Sequence, residues 1–393
     1  MTSTSSNVVR ASGGLKEAFL SACEHRLAHR LRRMIPVRYT TTAILASRNR
    51  ANWVEVLPPT KAAIPNFLPS GPLPQEMSDK CCEQFSAKGI LHLERGFIST
   101  PQGWVFTRTG RCVLDLSNYR NYVDVAPRER LPFPKWKARR LRGRTLSLLS
   151  TWAASNYFHF MFESLPRIDL FRRAGFNWDD VDHVLLPLFS SATADRLVEH
   201  LQLPQEKLIC VSAQDALFLQ ADHLICPSFP GERRIVAGWS VDFLRRVRAI
   251  KPNAKRRRLF VSRHAHKRLL QNEQDIWTEL EGLGFERVDP LCEADVESVF
   301  HEAEVVVGIH GAGMANIVFC RPGTRVLELM PSDQCVPFYF SVAVAGNLAY
   351  DCLVGRSDRD VARSPHQDYN SPYNFKVSVS AFKQRLRWLL SSE

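Results

Sequence analysis

From about residue 151 the sequence alternates short apolar runs with longer amphipathic ones, and nothing else constrains the fold as much. Runs 183–188, 207–211 and 222–226 have the length of buried strands, while segments 159–174, 191–201 and 236–250 carry helical spacing. Strands separated by helices read as βα units on a parallel sheet. Segment 251–258 is a basic, Pro-bearing break that reads as a hinge. Beyond it the pattern resumes, with strands 259–262, 285–288, 305–309 and 325–330 and helices 273–282, 294–303 and 313–320. A final helix is expected over 380–390. Asn272 stands at the N-cap of helix 273–282, with Asp275 in its first turn. The fold class is therefore α/β, with two Rossmann-like halves facing a cleft.

Upstream the texture differs. Leu15, Phe19, Cys23, Leu27 and Leu31 recur every fourth residue among Arg26, Arg30, Arg32 and Arg33. This spacing predicts a basic amphipathic helix, which either packs on its own domain or lies on an anionic membrane. Segment 53–76 holds six prolines and reads as an extended connector. Runs 90–98, 103–108 and 112–116 read as short strands of a small antiparallel meander, turning at Pro101-Gln102-Gly103 and Thr109-Gly110. The basic segment 135–144 reads as a solvated loop.

At 393 residues the chain exceeds the ~150 residues of one compact unit, so more than one domain is expected. A hydrophobic fraction of 45% excludes a wholly disordered chain. The net charge of +12 favours anionic partners: nucleic acid, acidic lipid or phosphorylated small molecules. No recognition helix or aromatic stacking pattern supports nucleic acid. The 10 cysteines form no C-x-x-C pair, so zinc and dithiol-redox spacings are absent and a reducing compartment is expected. Residues 1–14 lack the pattern of a secretory signal, and no run reaches the ~20 apolar residues of a membrane span. The expectation is a cytoplasmic protein, at most peripheral on the inner face of a membrane.

Two stretches carry chemistry. The run Val305-Val306-Val307-Gly308-Ile309-His310-Gly311-Ala312-Gly313-Met314-Ala315-Asn316 passes from a buried strand through small residues into a helix. Gly311 and Gly313 allow a ligand close to the backbone, with the first helical N–H groups directed at it. A helix start beyond a parallel strand suits a pyrophosphate, and His310 stands at its mouth. The alternative is close strand–helix packing. Glu328, in the apolar strand 325–330, needs donors: ribose hydroxyls or an internal arginine. Arg263, after strand 259–262, can meet a phosphate bidentately. His264 and His266 have no carboxylate nearby and read as loop residues, not metal ligands. In the other half, His159, Glu163 and Arg167 fall at i, i+4 and i+8 of one helix. A His–Glu pair at a helix start is a general-base arrangement in which either group takes the proton; a satisfied polar seam is the alternative.

Three blocks resemble glycosyltransferase family 61, which includes bacterial capsular polysaccharide biosynthesis proteins and eukaryotic xylosyl-, arabinosyl- and N-acetylglucosaminyltransferases. The first is Asn156-Tyr157-Phe158-His159 with Glu163, Pro166 and Arg167. The second is Leu259-Phe260-Val261-Ser262-Arg263 followed by Asn272-Glu273. The third runs from His310 to Asn316 and on to Pro322-Gly323 and Glu328. One departure is Asn374-Phe375, where the family pattern has Asp-Phe. The resemblance implies a GT-B architecture, with the acceptor mainly in the N-terminal domain and the donor mainly in the C-terminal one. It also implies inversion at the anomeric carbon, with no cofactor and no obligatory metal. In this sequence that divides into an extension over 1–45 and an acceptor-side domain over 46–250, which holds the meander 90–116 and the half 151–250. A nucleotide-sugar domain over 251–372 and a helix over 373–393 that packs back follow. His159 and Glu163 would be catalytic. Arg263, His310, Gly311, Ala312, Gly313, Met314, Asn316 and Glu328 would bind the donor, with Asn156, Arg167 and Asn272 supporting the acceptor side. Partners would be a nucleotide-sugar donor and a glycan or lipid-linked acceptor. A non-catalytic nucleotide-sugar or polysaccharide binder of the same fold is the alternative.

Overall fold

The computed structural model of the chain describes residues 39–48, 52–62, 64–65, 67–117, 138–248, 250, 255–263, 268–358 and 374–391. The basic helix expected over 15–31, residues 251–254 of the hinge, and His264 and His266 lie outside the described residues.

Two large sheets organise the rest. Four parallel strands form one side of a ten-stranded sheet, in the order Phe218–Pro227, Arg139–Ser147, His183–Pro187, Leu208–Val211. Alternate residues along them feed two different cores. Leu146, Val184, Leu186 and Ile225 pack on one face; Leu141, Leu185, Leu224 and Cys226 pack on the other. This is the period-two pattern of strands buried on both sides. Arg139–Ser147 comes first in the chain yet lies between the second strand and the fourth. Chain order reverses beside it, and loops leaving strand ends at such a reversal diverge to form a crevice.

The second sheet has six strands, in the order Phe285–Val288, Arg257–Val261, Ala303–Ile309, Arg325–Pro331, Ala349–Ser357, Phe375–Lys376. The first five are parallel and the last is antiparallel. Order reverses again, here beside Arg257–Val261. Phe260, Val305, Val307 and Leu327 face a core closed by Phe382, Leu386 and Leu389 of the final helix Val379–Leu390. The opposite face joins the largest core of the first sheet: Leu259, Val306 and Met314 cluster with Leu146, Phe158 and Val184. Tyr157 Oη donates to Asn316 Oδ1 at 2.9 Å across this junction.

Several expectations need correction. The antiparallel strands are not a separate small element, because Lys88–Glu94 and Phe97–Ser99 both pair with Phe218–Pro227 and extend the first sheet. The run 90–98 breaks at Arg95, whose φ is +50°. The basic segment is a loop on neither side of the sheet: from Arg139 it is a central strand. Its local charge misleads because Asp222 pairs with Arg140 at 2.8 Å and Asp182 accepts from the Arg144 N–H at 2.7 Å. Part of the Pro-rich segment, Asn52–Leu57, is likewise a strand, paired with Lys88–Glu94. The helix expected over 159–174 has three pieces: an α-helical start Tyr157–His159, a wide π-helical turn Phe160–Ser164, and an α-helix Arg167–Arg173. The helix expected over 313–320 is a 3₁₀ helix, Ala312–Phe319. Among the described residues no helix is long and apolar enough to cross a membrane.

Candidate active site

The loops that leave the two reversal points open into one cleft of about 1480 Å³. That exceeds the ~300–1,000 Å³ typical of a single small-ligand pocket. Trp152, Asn156, His159 and Glu163 line it from the first sheet; Arg268, His310, Gly311 and Ala312 line it from the second. Rings link the two walls along the floor. Phe158 lies 4.5 Å from Phe338 and 5.8 Å from Tyr339 between centroids, and Tyr339 lies 5.5 Å from His310.

On the first wall, Asn156 caps the helix start by accepting from the Phe158 N–H at 3.0 Å. This fixes His159, whose Nδ1 stands 2.9 Å from Glu163 Oε1. The approach is close in distance but outside hydrogen-bonding angle. The other carboxylate oxygen of Glu163 accepts from Ser150 Oγ. Trp152, at 5.3 Å between rings, and Phe158, edge-on at 5.5 Å, flank the imidazole and thin the water around it. Arg167 does not join this pair, because the π-helical turn resets the helical register before it. Its side chain is fully buried and donates to Leu149 O at 2.7 Å and to Pro227 O at 3.0 and 2.7 Å. Burial draws its pKa down to about 10. Arg167 holds the ends of the two strands that flank the crevice.

On the second wall, His310 Nδ1 lies 2.5 Å from Glu328 Oε1, and Tyr350 Oη donates to Glu328 Oε2 at 2.5 Å. Glu328 has no exposed surface and both of its oxygens are engaged, so it is not placed to meet a ribose. It orients His310 instead. Burial lowers the His310 pKa; Glu328 opposes the shift, and Arg268 and Arg263 reinforce it. With a carboxylate at Nδ1, the neutral ring keeps its proton there and presents a bare Nε2. Arg263 Nη1 donates to His310 O at 3.2 Å, and burial lowers its pKa to about 10. A methyl group at Gly311 would lie 1.3 Å from that Nη1, so this glycine admits the guanidinium rather than a ligand. A methyl group at Gly313 would meet Pro290 at 3.0 Å.

Other expected donor contacts are spent on packing. Met314 is fully buried, its sulfur filling the space that a Cβ at Gly308 would need. Asn316 holds Tyr157 and donates to Gly313 O at 3.0 Å. Asn272 stands at the N-cap position of its helix, as expected, but its side chain makes no capping bond; it donates to Val377 O at 3.0 Å and accepts from the Val377 N–H at 3.3 Å. Nearby, Asn374 accepts from the Leu269 N–H at 2.9 Å. These ties hold the chain that runs on from Arg268.

The cleft also holds residues that carried no signal in the sequence. Trp152 sits in a loop without periodicity, Phe338 and Tyr339 open the unrecognised helix Phe338–Ala345, and Arg233 and Arg234 occupy a short turn. An indole, a hydrophobic helix or an Arg-Arg pair is common enough that only placement singles these out.

Residues 157–327 match the model of the family described as Glycosyltransferase 61. No curated protein matches the chain. The matched span holds His159, Glu163, Arg263 and the turn from His310 to Asn316, and it ends one residue before Glu328. Members of this family are glycosyltransferases, with a sugar donor and a glycan acceptor. Residues 157–327, which contribute to both walls of the cleft, are thus similar to the glycosyltransferase 61 family.

Proposed function

We propose that the protein is an inverting, metal-independent glycosyltransferase of GT-B architecture. It moves a hexose or pentose from a nucleoside-diphosphate donor to a hydroxyl of a glycan or lipid-linked acceptor, in capsular, exopolysaccharide or related glycan synthesis. Residues 46–250 take the acceptor and 251–372 the donor. The observation that supports this most is a single cleft with a carboxylate-paired imidazole on one wall and Arg268 with a second, buried imidazole on the other.

In a single displacement, the acceptor oxygen attacks the anomeric carbon as the bond from that carbon to the diphosphate oxygen breaks. His159 takes the acceptor proton, and Glu163 stabilises the imidazolium that forms. The departing diphosphate keeps the electron pair. Arg268 and Arg263 balance its charge in a partly dehydrated site, where fixed cations act more strongly than in water. Neutral His310 accepts a hydroxyl of the donor through Nε2, and Trp152 stacks on the acceptor sugar.

A panel of nucleotide sugars, read by release of nucleoside diphosphate, tests this. His159→Ala and Glu163→Gln should lower kcat by ~10²–10⁴ with donor affinity retained, as expected for loss of a general base. A wild-type protein that binds donors but never turns them over would be a binder of the same fold.

A further inference from the structure

Among the described residues, seven other than glycine have positive φ, and four of them line the cleft: Trp152, Arg233, Arg234 and Arg268. Left-handed backbone disfavours such residues, and where it persists it clusters at functional sites. Arg233 and Arg234, with φ of +46° and +72°, form a two-residue turn. Reciprocal bonds close it: the Glu232 N–H donates to Ile235 O at 3.1 Å and the Ile235 N–H to Glu232 O at 2.8 Å. Asn-Gly is the sequence such a turn favours, and two arginines are not.

The turn is held from both sides. The Glu232 carboxylate accepts from Lys88 Nζ at 2.6 Å and from the Ser86 N–H at 2.9 Å. The Val236 N–H donates to Ser341 Oγ at 2.9 Å, on the helix Phe338–Ala345. A Cβ at Gly231 would lie 2.3 Å from Ile235 O. Glu232 is thus engaged by Lys88 and Ser86, and both arginines of the turn line the cleft. Arg268, with φ of +65°, enters from the other sheet; its Nε is buried without a hydrogen-bond partner among the described residues.

We propose that Arg233 and Arg234, with Arg268, form an oxyanion subsite that grips a diphosphate. Paired guanidinium forks match phosphate oxygens in a way that the favoured turn residues cannot. The proposal rests on the transferase reading of the cleft. The diphosphate has two possible sources, the nucleotide donor or a diphosphate-linked lipid acceptor, and both present the same chemistry.

The test is calorimetric titration of the full chain with inorganic pyrophosphate, UDP, GDP and geranyl diphosphate. It compares wild type with the double variant Arg233→Asn/Arg234→Gly and with Arg268→Gln. Because Asn-Gly suits the turn, the double variant should melt at the wild-type temperature or above while its pyrophosphate Kd rises at least tenfold. Arg268→Gln should weaken pyrophosphate binding without touching the turn. A parallel loss of UDP or GDP affinity assigns the subsite to the donor. Loss of geranyl diphosphate with nucleotides retained assigns it to the acceptor. Pyrophosphate affinity equal in wild type and the double variant, or absent in wild type, overturns the subsite. Sugar transfer by wild type is read separately, so that result leaves the transferase reading standing.

Discussion

His310 shows how one buried contact sets the chemistry of a residue. Its folded pKa lies below the ordinary 6.5, chiefly through burial, with Arg268 and Arg263 adding to the shift and Glu328 opposing it. For an imidazole depressed on folding, the unfolded chain binds the proton more readily. The stability contribution is therefore complete above pH 6.5 and is lost as pH falls below it, by at most ~1.4 kcal/mol per pH unit. Melting curves from pH 8 to 5 should fall more steeply below pH 6.5 for wild type than for His310→Asn. Parallel curves would contradict the depressed pKa. The importance of His310 and Gly311 was legible from the turn they form, but their division of labour was not. The contact between Gly311 and Arg263 spans 48 positions in the chain, and Glu328 meets a histidine and a tyrosine where an arginine or a ribose seemed the natural partner.

Among the elements, the strands expected from apolar runs are present, because such runs of four to six residues have few other fates once helices separate them. Asn52–Leu57, Arg139–Ser147 and Ala349–Ser357, however, were not expected as strands. The helices were harder. The segment after Asn156 has helical spacing throughout, yet a π-helical turn interrupts it, and that extra width removes Arg167 from the His159–Glu163 face. Helix Phe338–Ala345 is apolar almost all round, so it lacks the periodicity that marks a surface helix. Arg139–Ser147 was hidden by charge that Asp222, on the neighbouring strand, and Asp180 offset from positions far along the chain. Arg167 provides the test at this scale. Arg167→Met would leave Leu149 O and Pro227 O buried without their donor, at ~1–3 kcal/mol each. Calorimetry should show a large drop in Tm, with donor affinity near normal at temperatures where the variant is folded. An unchanged Tm with lost turnover would place Arg167 in the chemistry instead.

Across the whole molecule, both sheets reverse strand order at the points whose loops open into the same cleft, and a shared apolar core fixes one against the other. In the proposed mechanism this arrangement brings His159 from one sheet and Arg268 from the other to a single substrate pair. Two α/β halves could be anticipated from the alternation of runs. The common cleft and its aromatic floor depend on long-range packing that no local pattern records. In the proposed mechanism arginine side chains, and not a divalent cation, receive the diphosphate as it leaves. The direct measurement is donor turnover in excess EDTA, for wild type and Arg263→Ala, with and without added magnesium or manganese. Wild type should turn over at the same rate with or without chelator, while Arg263→Ala is severely slowed in both conditions. Wild-type activity that vanishes with EDTA and returns with either metal would contradict the account.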